Sequence, residues 1–271
     1  MSPPPGIHAV EHHAGGELPL VILIHGTMDR SASFARAVRL LPMAHVITYD
    51  RRGYGRSAAA PPASKGMDGH VDDLVEILDG RRAVAIGHSF GGDIALLAAV
   101  RHPELIAAAG AYEPPMPWFE WWPTGSASQD LRAHGLDHPG EVAERFIRLV
   151  AGDAAWEGLP DHTKDRRRAE GPAVLADVAA LTDGGGPFSL GDVTAAIGRG
   201  AVVRLACGRR SRPHQHGGAV LLGSKLGVEL TMIEDATHGA HSGRPVEFAS
   251  WVRTVMIAAG ASAEPVEQGA Q

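Results

Sequence analysis

The sequence predicts an α/β fold built on a doubly wound, mostly parallel sheet, and two observations indicate it. Short apolar runs bounded by Pro or Gly, such as LPLVILIH at residues 18–25, are typical of strands buried on both faces. These runs alternate along the chain with segments of helical periodicity, the order expected when helices connect parallel strands. A chain of 271 residues is long enough for one large domain of this kind.

Six strands and five helices are predicted around this sheet. The strands are expected at 18–25, 44–50, 83–88, 105–112, 201–207 and 228–234. The helices are expected at about 32–41, 69–79, 91–101, 213–226 and 245–259. The alternation breaks after Tyr112, because the next 78 residues contain helical patterns near 139–151 and 161–182 but no convincing strand.

That interruption predicts a separate cap. We expect residues 7–113 and 191–259 to form the core domain. Residues 114–190 are expected to form a helical cap, or lid, over the carboxyl ends of the strands, where open α/β sheets bind ligands. Residues 1–6 and 260–271 are rich in Pro, Gly, Ala and Gln, and we expect them to be flexible tails.

Composition excludes several classes of protein. The net charge is −6, and the basic run KDRRR at 164–168 is interpreted as a solvated helix face rather than a nucleic-acid patch. The single Cys207 excludes an internal disulfide framework. Neither a secretory signal nor an apolar run of about 20 residues is visible. We expect a cytoplasmic protein, a monomer or homodimer with a small-molecule substrate, no nucleic acid and no membrane partner.

The motif GHSFG at 87–91 makes Ser89 the candidate nucleophile. A GxSxG pattern alone is a weak signal in a chain with 34 glycines, but this one lies between an apolar strand and an apolar helix. A nucleophile elbow holds its serine on a strained turn, and flanking glycines avoid clashes there. The alternative is a Gly-rich turn whose serine only caps the helix.

Four segments resemble the α/β-hydrolase fold superfamily, in that family's order. The resemblance covers residues 18–258 and implies both the fold and a Ser-His-acid mechanism. It departs at the N-terminus, where the family's first antiparallel strand is expected to be missing or reduced. The segments are IHGTMDRSASF (24–34), YDRRGYGRS (49–57), GHSFGG (87–92) and EDATHGAHSGRPVEFASWV (234–252).

The resemblance also implies the base and the oxyanion hole. It places the base at His238, after the last strand, with His241 as the competitor. The oxyanion would contact the backbone N–H groups of Phe90 and of Thr27 or Met28. The HxxH pattern at 238–241 lacks the Glu and the helix of a zinc motif, so we expect no metal and no cofactor.

The acid is not where the family usually has it. No carboxylate lies between Gly208 and Leu222, and Arg209 and Arg210 follow the strand instead. Some branches of the family, haloalkane dehalogenases among them, have the acid after the sixth strand. That strand corresponds to 105–112 here, and Glu113 follows it.

Glu113 is therefore predicted to be the acid. The surrounding AYEPPMP at 111–117 also resembles small actinobacterial-type hydrolases that have Tyr-Glu-Pro-Pro here and no acid after strand 7. Two alternatives stay open. Glu113 could only cap the sheet or pair with an arginine, and Asp235 could be the acid instead.

These features predict a serine hydrolase that cleaves a small to medium hydrophobic ester, thioester or lactone through an acyl-enzyme. Aromatic residues at the start of the cap, Trp118, Trp121 and Trp122, are expected to contact the substrate in part, and His25 and His88 to be structural or to line the pocket. The alternatives are a non-hydrolytic enzyme (lyase, elimination or cyclisation) that reuses Ser89 and His238, or a binding protein with a broken triad.

Overall fold

The computed structural model of the protein describes residues 3–15, 17–134, 138–183 and 185–261. Its strands are β1 (Ala9–His12), β2 (Leu20–Ile24), β3 (His45–Tyr49), β4 (Ala83–His88), β5 (Ile106–Tyr112), β6 (Val202–Gly208) and β7 (Leu230–Ile233). They form one sheet with the order β1-β3-β2-β4-β5-β6-β7. The strands from β2 to β7 pair in parallel and β1 pairs antiparallel with β3. The predicted α/β fold with a mostly parallel sheet is confirmed.

The helices within the described residues are numbered along the chain. They are α1 (Ala35–Val38), α2 (Met67–Leu78), α3 (Phe90–Arg101), α4 (Ala127–His134), α5 (Pro139–Ala151), α6 (Asp153–Glu157), α7 (Asp161–Ala169), α8 (Gly171–Thr182), α9 (Leu190–Gly198), α10 (Pro213–Leu226), α11 (Ala240–Gly243) and α12 (Pro245–Ala258). Short 3-10 turns lie at Ser31–Phe34 and Gly55–Ser57. Within the same residues, none of these helices has both the length and the apolar character needed to cross a membrane.

Both faces of the sheet are covered by helices. Val21 and Leu23 of β2 pack in the cluster that contains α1 and α12, whereas Ile22 and Ile24 pack in the cluster that contains α2 and α3. All four side chains are fully buried. This two-sided burial explains why the strands read as continuous apolar runs rather than as alternating ones.

Helices α4 to α8 follow β5 and precede α9 along the chain, and they form a separate layer. Apolar side chains of α4, α5 and α8 pack with Met28 and Tyr54, which lie in loops after β2 and β3. Since those loops follow the carboxyl ends of parallel strands, the layer covers that end of the sheet. The boundaries of the cap at 114 and 190 stay a prediction.

Several local expectations need correction. The pattern at 32–41 forms a 3-10 turn followed by the single turn of α1, and Pro42 disfavours helical backbone just before it. The pattern at 161–182 is two helices that meet at Glu170, because Pro172 has no N–H to continue a helix from α7. Helices α4, α6, α9 and α11 were not predicted. The first antiparallel strand, which was expected to be missing or reduced, is present as the four residues of β1.

The predicted tails can be compared only in part, since residues 1–2 and 262–271 lie outside the described residues. Pro4 is buried, and its carbonyl accepts a hydrogen bond from the N–H of Ile7 at 2.9 Å. Gly6 lies against Ala60. The flexibility of the two terminal segments stays a prediction.

Two glycines set the approach of α3 to the sheet. A Cβ on Gly87 would lie 1.9 Å from the carbonyl oxygen of Gly91, and a Cβ on Gly91 would lie 2.2 Å from that of Ile24. Both obstacles are backbone atoms, which cannot turn aside as a side chain can. The turn between β4 and α3 can therefore form only with glycine at these positions.

We expect Gly91→Ala to lower the free energy of unfolding by about 3 kcal/mol or more, because its methyl group would overlap the backbone of β2. Gly198→Ala is the matched control, since a Cβ there meets no atom within 4 Å. It should keep or raise stability, by up to about 1 kcal/mol, because Ala favours a helix over Gly. Urea unfolding measures both, and equal stability of the two variants would contradict this account.

Candidate active site

Ser89 lies at the turn between β4 and α3, with φ of 53° and ψ of −129°. A left-handed φ is costly for a residue with a Cβ and persists only where the surroundings enforce it. The N–H of Ser89 donates to the carbonyl of Tyr112 at 2.8 Å, which ties the turn to β5. The strained strand-to-helix turn predicted for GHSFG is present.

Glu113 and His238, which are 125 residues apart in sequence, meet at the end of the sheet. Nδ1 of His238 lies 2.6 Å from Oε2 of Glu113. Glu113 follows the last residue of β5 and has a left-handed φ of 48°. Because β5 lies between β4 and β6, its carboxyl end opens beside Ser89. His241 contacts a different carboxylate, that of Asp29, at 3.0 Å.

The second oxygen of Glu113 is held by the end of β6. Oε1 accepts hydrogen bonds from the N–H of Gly208 at 2.8 Å, from the thiol of Cys207 at 3.2 Å and from the hydroxyl of Ser211. Burial opposes ionisation of Glu113, but the hydrogen bond and charge of His238 and these donors outweigh it and lower the pKa of the carboxyl. In the family the segment after β6 usually supplies the acid. In this protein the end of β6 and the residues after it donate hydrogen bonds to Glu113 instead.

The two arginines that follow β6 have exposed side chains. The guanidinium of Arg209 forms an ion pair with Glu234, with Nε and Oε1 2.6 Å apart, and both side chains are exposed. Its charge is therefore compensated at the surface. The side chain of Arg210 is also exposed, at the rim of the adjoining cavity.

Two side chains hold the loop that carries His238. The hydroxyl of Tyr112 donates to the carbonyl of Thr237 at 2.7 Å. Nε2 of His88 lies 2.8 Å from the carbonyl of His238, and the two rings are 4.6 Å apart. Burial, followed by the charges of His241 and His238, keeps the pKa of His88 well below its usual value, so its neutral ring donates from Nε2. Sequence reasoning missed Tyr112, and only its place before Glu113 could have suggested it.

No hydrogen bond joins Ser89 to His238 among the described residues. Both side chains line the same cavity. Such contacts are often long without a bound substrate and tighten when the reacting complex forms. Proton transfer from Ser89 to His238 therefore requires the two side chains to come closer when the reacting complex forms.

The turn after β2 lies directly against Ser89. A Cβ on Gly26 would be 2.9 Å from Cβ of Ser89, so the amides of Thr27 and Met28 lie next to the serine. Met28 has a left-handed φ of 59°. Phe90 is the first residue of α3, and the first N–H groups of a helix have no partner within it. These backbone N–H groups therefore lie close to Ser89.

A cavity of about 710 Å³ opens over Ser89. Its walls include Trp122 and the prolines that follow Glu113. The cap contributes an apolar roof, formed by Phe146, Ile147, Val150, Ala151, Ala155, Leu159 and Leu181. Among the predicted substrate contacts, Trp122 and His88 line this cavity.

Three predicted contacts lie elsewhere. Trp118 packs edge-on against Phe188 and donates from its ring N–H to the carbonyl of that residue at 3.1 Å. Trp121 stacks on Phe119 with ring centroids 5.0 Å apart. His25 is fully buried and accepts the N–H of Arg51 at 2.8 Å. None of these three side chains lines the cavity. The sequence could not show this, because it does not tell which way a side chain points.

A second titratable cluster lines the same cavity. Asp29, His88 and His241 each place one ligand atom within 4.8 Å of the other two, a spacing that could hold a metal ion. Burial opposes ionisation of Asp29, but the hydrogen bond and charge of His241 lower the pKa of its carboxyl. The prediction of no metal considered only neighbours in sequence, and these residues are distant along the chain.

Comparison with known proteins identifies the fold. A family model described as alpha/beta hydrolase fold matches residues 19–144. The chain therefore has the α/β-hydrolase fold, and nearly half of its sequence matches that family's model. A relative in Agrobacterium fabrum, RutD, named as a carbamate hydrolase, is 28% identical over 186 residues, which cover 64% of this chain and 69% of that protein. The 2-hydroxymuconate semialdehyde hydrolase of a Pseudomonas species is 35% identical over 37% of this chain, but over only 38% of its own length.

Solved structures of other α/β-hydrolases agree in fold over nearly the whole chain. A carboxylesterase structure from Nitrososphaera gargenis superposes with a TM-score of 0.69 at 18% identity, covering 96% of this chain and 98% of its own. The enol-lactonase from Burkholderia xenovorans superposes with a TM-score of 0.64 at 18% identity, covering 93% and 96%. The expectation of an enzyme of the α/β-hydrolase type is confirmed, since the sequence relatives carry hydrolase names.

Proposed function

We propose that this α/β-hydrolase is a serine hydrolase with Ser89 as nucleophile, His238 as base and Glu113 as acid. The observation that carries the proposal is the 2.6 Å contact between His238 Nδ1 and Glu113 Oε2, beside the strained turn of Ser89. A nucleophile, a base and a group that orients the base are the three parts that this chemistry needs.

In the first half-reaction, Nε2 of His238 takes the hydroxyl proton of Ser89 while Oγ forms a bond to the substrate carbonyl carbon. The carbonyl electron pair moves onto its oxygen. Collapse of this intermediate breaks the bond to the leaving group, which receives the proton from His238 and leaves an acyl-enzyme. Water then attacks the acyl-enzyme, with His238 again as base, and the carboxylic acid product leaves Ser89.

Glu113 stabilises the positive charge that forms on His238, and the backbone amides stabilise the negative charge on the oxyanion. Nδ1–H of His238 donates to Glu113, which leaves Nε2 free to accept a proton and stabilises the imidazolium that forms. The oxyanion would contact the N–H groups of Phe90 and of Thr27 or Met28. Removal of one such donor typically lowers the rate by about 10²–10³.

The cavity favours a small to medium hydrophobic ester, thioester or lactone. Its roof in the cap is apolar, and its volume of about 710 Å³ is of the size that holds small organic ligands. Three of the similar proteins, named as a carboxylesterase, an enol-lactonase and a carbamate hydrolase, have activities that involve attack on a carbonyl group. Other relatives are named epoxide hydrolases, whose reaction opens an epoxide instead. A covalent acyl-enzyme on Ser89 accommodates each of the three carbonyl chemistries.

We expect Ser89→Ala to abolish covalent labelling by a fluorophosphonate probe and to abolish ester hydrolysis, with no loss of fold. Ser128→Ala is the matched control, because it removes another hydroxyl from the cavity wall. Intact-mass measurement of the labelled proteins gives the result. A wild-type protein that resists the probe would indicate a non-hydrolytic enzyme or a binding protein instead.

Glu113→Gln should lower kcat by about 10⁴, because it keeps the shape of the side chain but removes the charge that selects the His238 tautomer and stabilises its cation. Ser211→Ala should cost far less, since it removes only one donor to Oε1. Steady-state kinetics on a p-nitrophenyl ester compares the two. Similar kcat values for Glu113→Gln and the wild type would assign the acid to another group.

Trp122→Leu should change the preference for acyl-chain length, because this ring lines the cavity. We expect the ratio of kcat/KM for long and short p-nitrophenyl esters to change by about tenfold, a typical effect of reshaping an apolar pocket. Trp121→Leu, whose ring stacks on Phe119 outside the cavity, should alter Tm but leave that ratio unchanged. The reverse result would place substrate on the other face of this segment.

A further inference from the structure

A carboxylate of the cap is buried in the loops of the core. Asp177 lies on α8 and is 1% exposed. Its Oδ2 accepts hydrogen bonds from the hydroxyl of Thr27 at 2.7 Å, from Nη2 of Arg51 at 2.7 Å and from the hydroxyl of Tyr54 at 2.8 Å. Oδ1 accepts Nη1 of Arg51 at 3.0 Å. All of these donors belong to loops that follow β2 and β3.

The charge of Asp177 is compensated where it lies. Burial alone would raise the pKa of this carboxyl, but the charge of Arg51 and the hydrogen bonds of His70 and Arg51 outweigh it and lower the pKa. Arg51 is itself fully buried, and its Nε donates to the carbonyl of His25 at 3.0 Å. All hydrogen bonds of such a buried carboxylate form together only when α8 lies in this position on the core.

The bond from Thr27 matters most, because Thr27 belongs to the turn that faces Ser89. A second cap residue holds the next position of that turn, since Nη1 of Arg167 on α7 donates to the carbonyl of Met28 at 2.9 Å. Met28 has a left-handed φ of 59°, which needs such outside support. The side chain of Thr27 and the backbone of Met28 are thus both tied to the cap.

We propose that Asp177 is a positioning residue for the oxyanion hole, acting through the hydroxyl of Thr27, and that Arg167 supports it at Met28. The cap then does more than enclose the substrate, because its docking on the core places the amides that stabilise the oxyanion. Movement of α8 away from the core would release Thr27 and lower catalytic competence. This inference rests on the proposed serine hydrolase function.

Measurements of kcat and KM distinguish a positioning role of Asp177 from a role that only holds the cap on the core. A displaced oxyanion donor weakens the transition state but leaves ground-state binding of an apolar substrate almost unchanged. Loss of cohesion alone would lower Tm and the fraction of active protein, and would leave the rate of each active site unchanged. The rate must therefore be expressed per active site, counted with a fluorophosphonate probe.

The test uses Thr27→Val, which removes the hydroxyl but keeps the shape, the backbone N–H and the Arg51–Asp177 pair. Thr182→Val is the matched control, because its hydroxyl contacts the carbonyl of Val178 and Asp183, both on the cap, and not the core. We expect Thr27→Val to lower kcat per active site about tenfold with KM changed less than twofold, and Thr182→Val to match the wild type. A complete loss of one donor would cost about 10²–10³, so a displaced donor should cost less.

Asp177→Ala, which removes the acceptor of the Thr27 hydroxyl, is the second variant. It should lower kcat by about 10–100-fold, and adding Thr27→Val to it should lower kcat by less than twofold further, because both changes break the same contact. If Asp177→Ala does not fold, Thr27→Val alone decides. A normal kcat per active site in Thr27→Val, or full additivity of the two changes, would overturn the proposal.

Hydrogen exchange distinguishes this failure from failure of the proposed function. Amides in residues 24–31 should exchange faster in Thr27→Val than in the wild type and should stay unchanged in Thr182→Val. This readout needs no catalysis. Unchanged exchange would overturn the contact between cap and turn, whereas a wild-type protein that the probe does not label would overturn the serine hydrolase proposal alone.

Discussion

The candidate site depends on one buried carboxylate, that of Glu113. It is 3% exposed, and an ionised group at such a depth costs several kcal/mol unless hydrogen bonds surround it. One oxygen is satisfied by His238 and the other by donors at the end of β6. The end of β5, the end of β6 and the loop after β7 therefore cannot separate without leaving a charge unpaired.

The same end of the sheet concentrates backbone strain. Met28, Ser89 and Glu113 all have left-handed φ values, and all three border the cavity. Each such residue costs of order 1–3 kcal/mol unless it is glycine. The cost is tolerated because the two-sided core of the sheet holds the strands rigidly, and the gain is that a hydroxyl, a carboxylate and free backbone amides all face one space.

A second buried carboxylate, Asp177, has a comparable role on the other side of that space. Glu113 joins strands of the core to one another, whereas Asp177 joins the cap to the core through Arg51, Tyr54 and Thr27. Because the Arg51–Asp177 ion pair is buried, salt screens it little. The cap is thus held to the site by specific polar contacts in addition to its small apolar cluster around Met28 and Tyr54.

The sequence by itself determined the fold class and most of its elements. The strand at 83–88 and the helices at 139–151 and 213–226 have the predicted bounds, because burial on both faces and helical periodicity are local patterns. The motif around Ser89, the place of His238 and the absence of a carboxylate after β6 were also readable. The absence pointed to Glu113, and the contact with His238 agrees with that choice.

Only the tertiary structure decided which side chains converge. Asp177 meets Thr27 across 150 residues, and Asp29 meets His241 across more than 200, without any motif to connect them. Trp118 and Trp121 turned away from the cavity although they share one short segment with Trp122. The physical reason is that strand and helix patterns depend on each residue's own burial, whereas the direction and partner of a polar or aromatic side chain depend on what distant segments bring beside it.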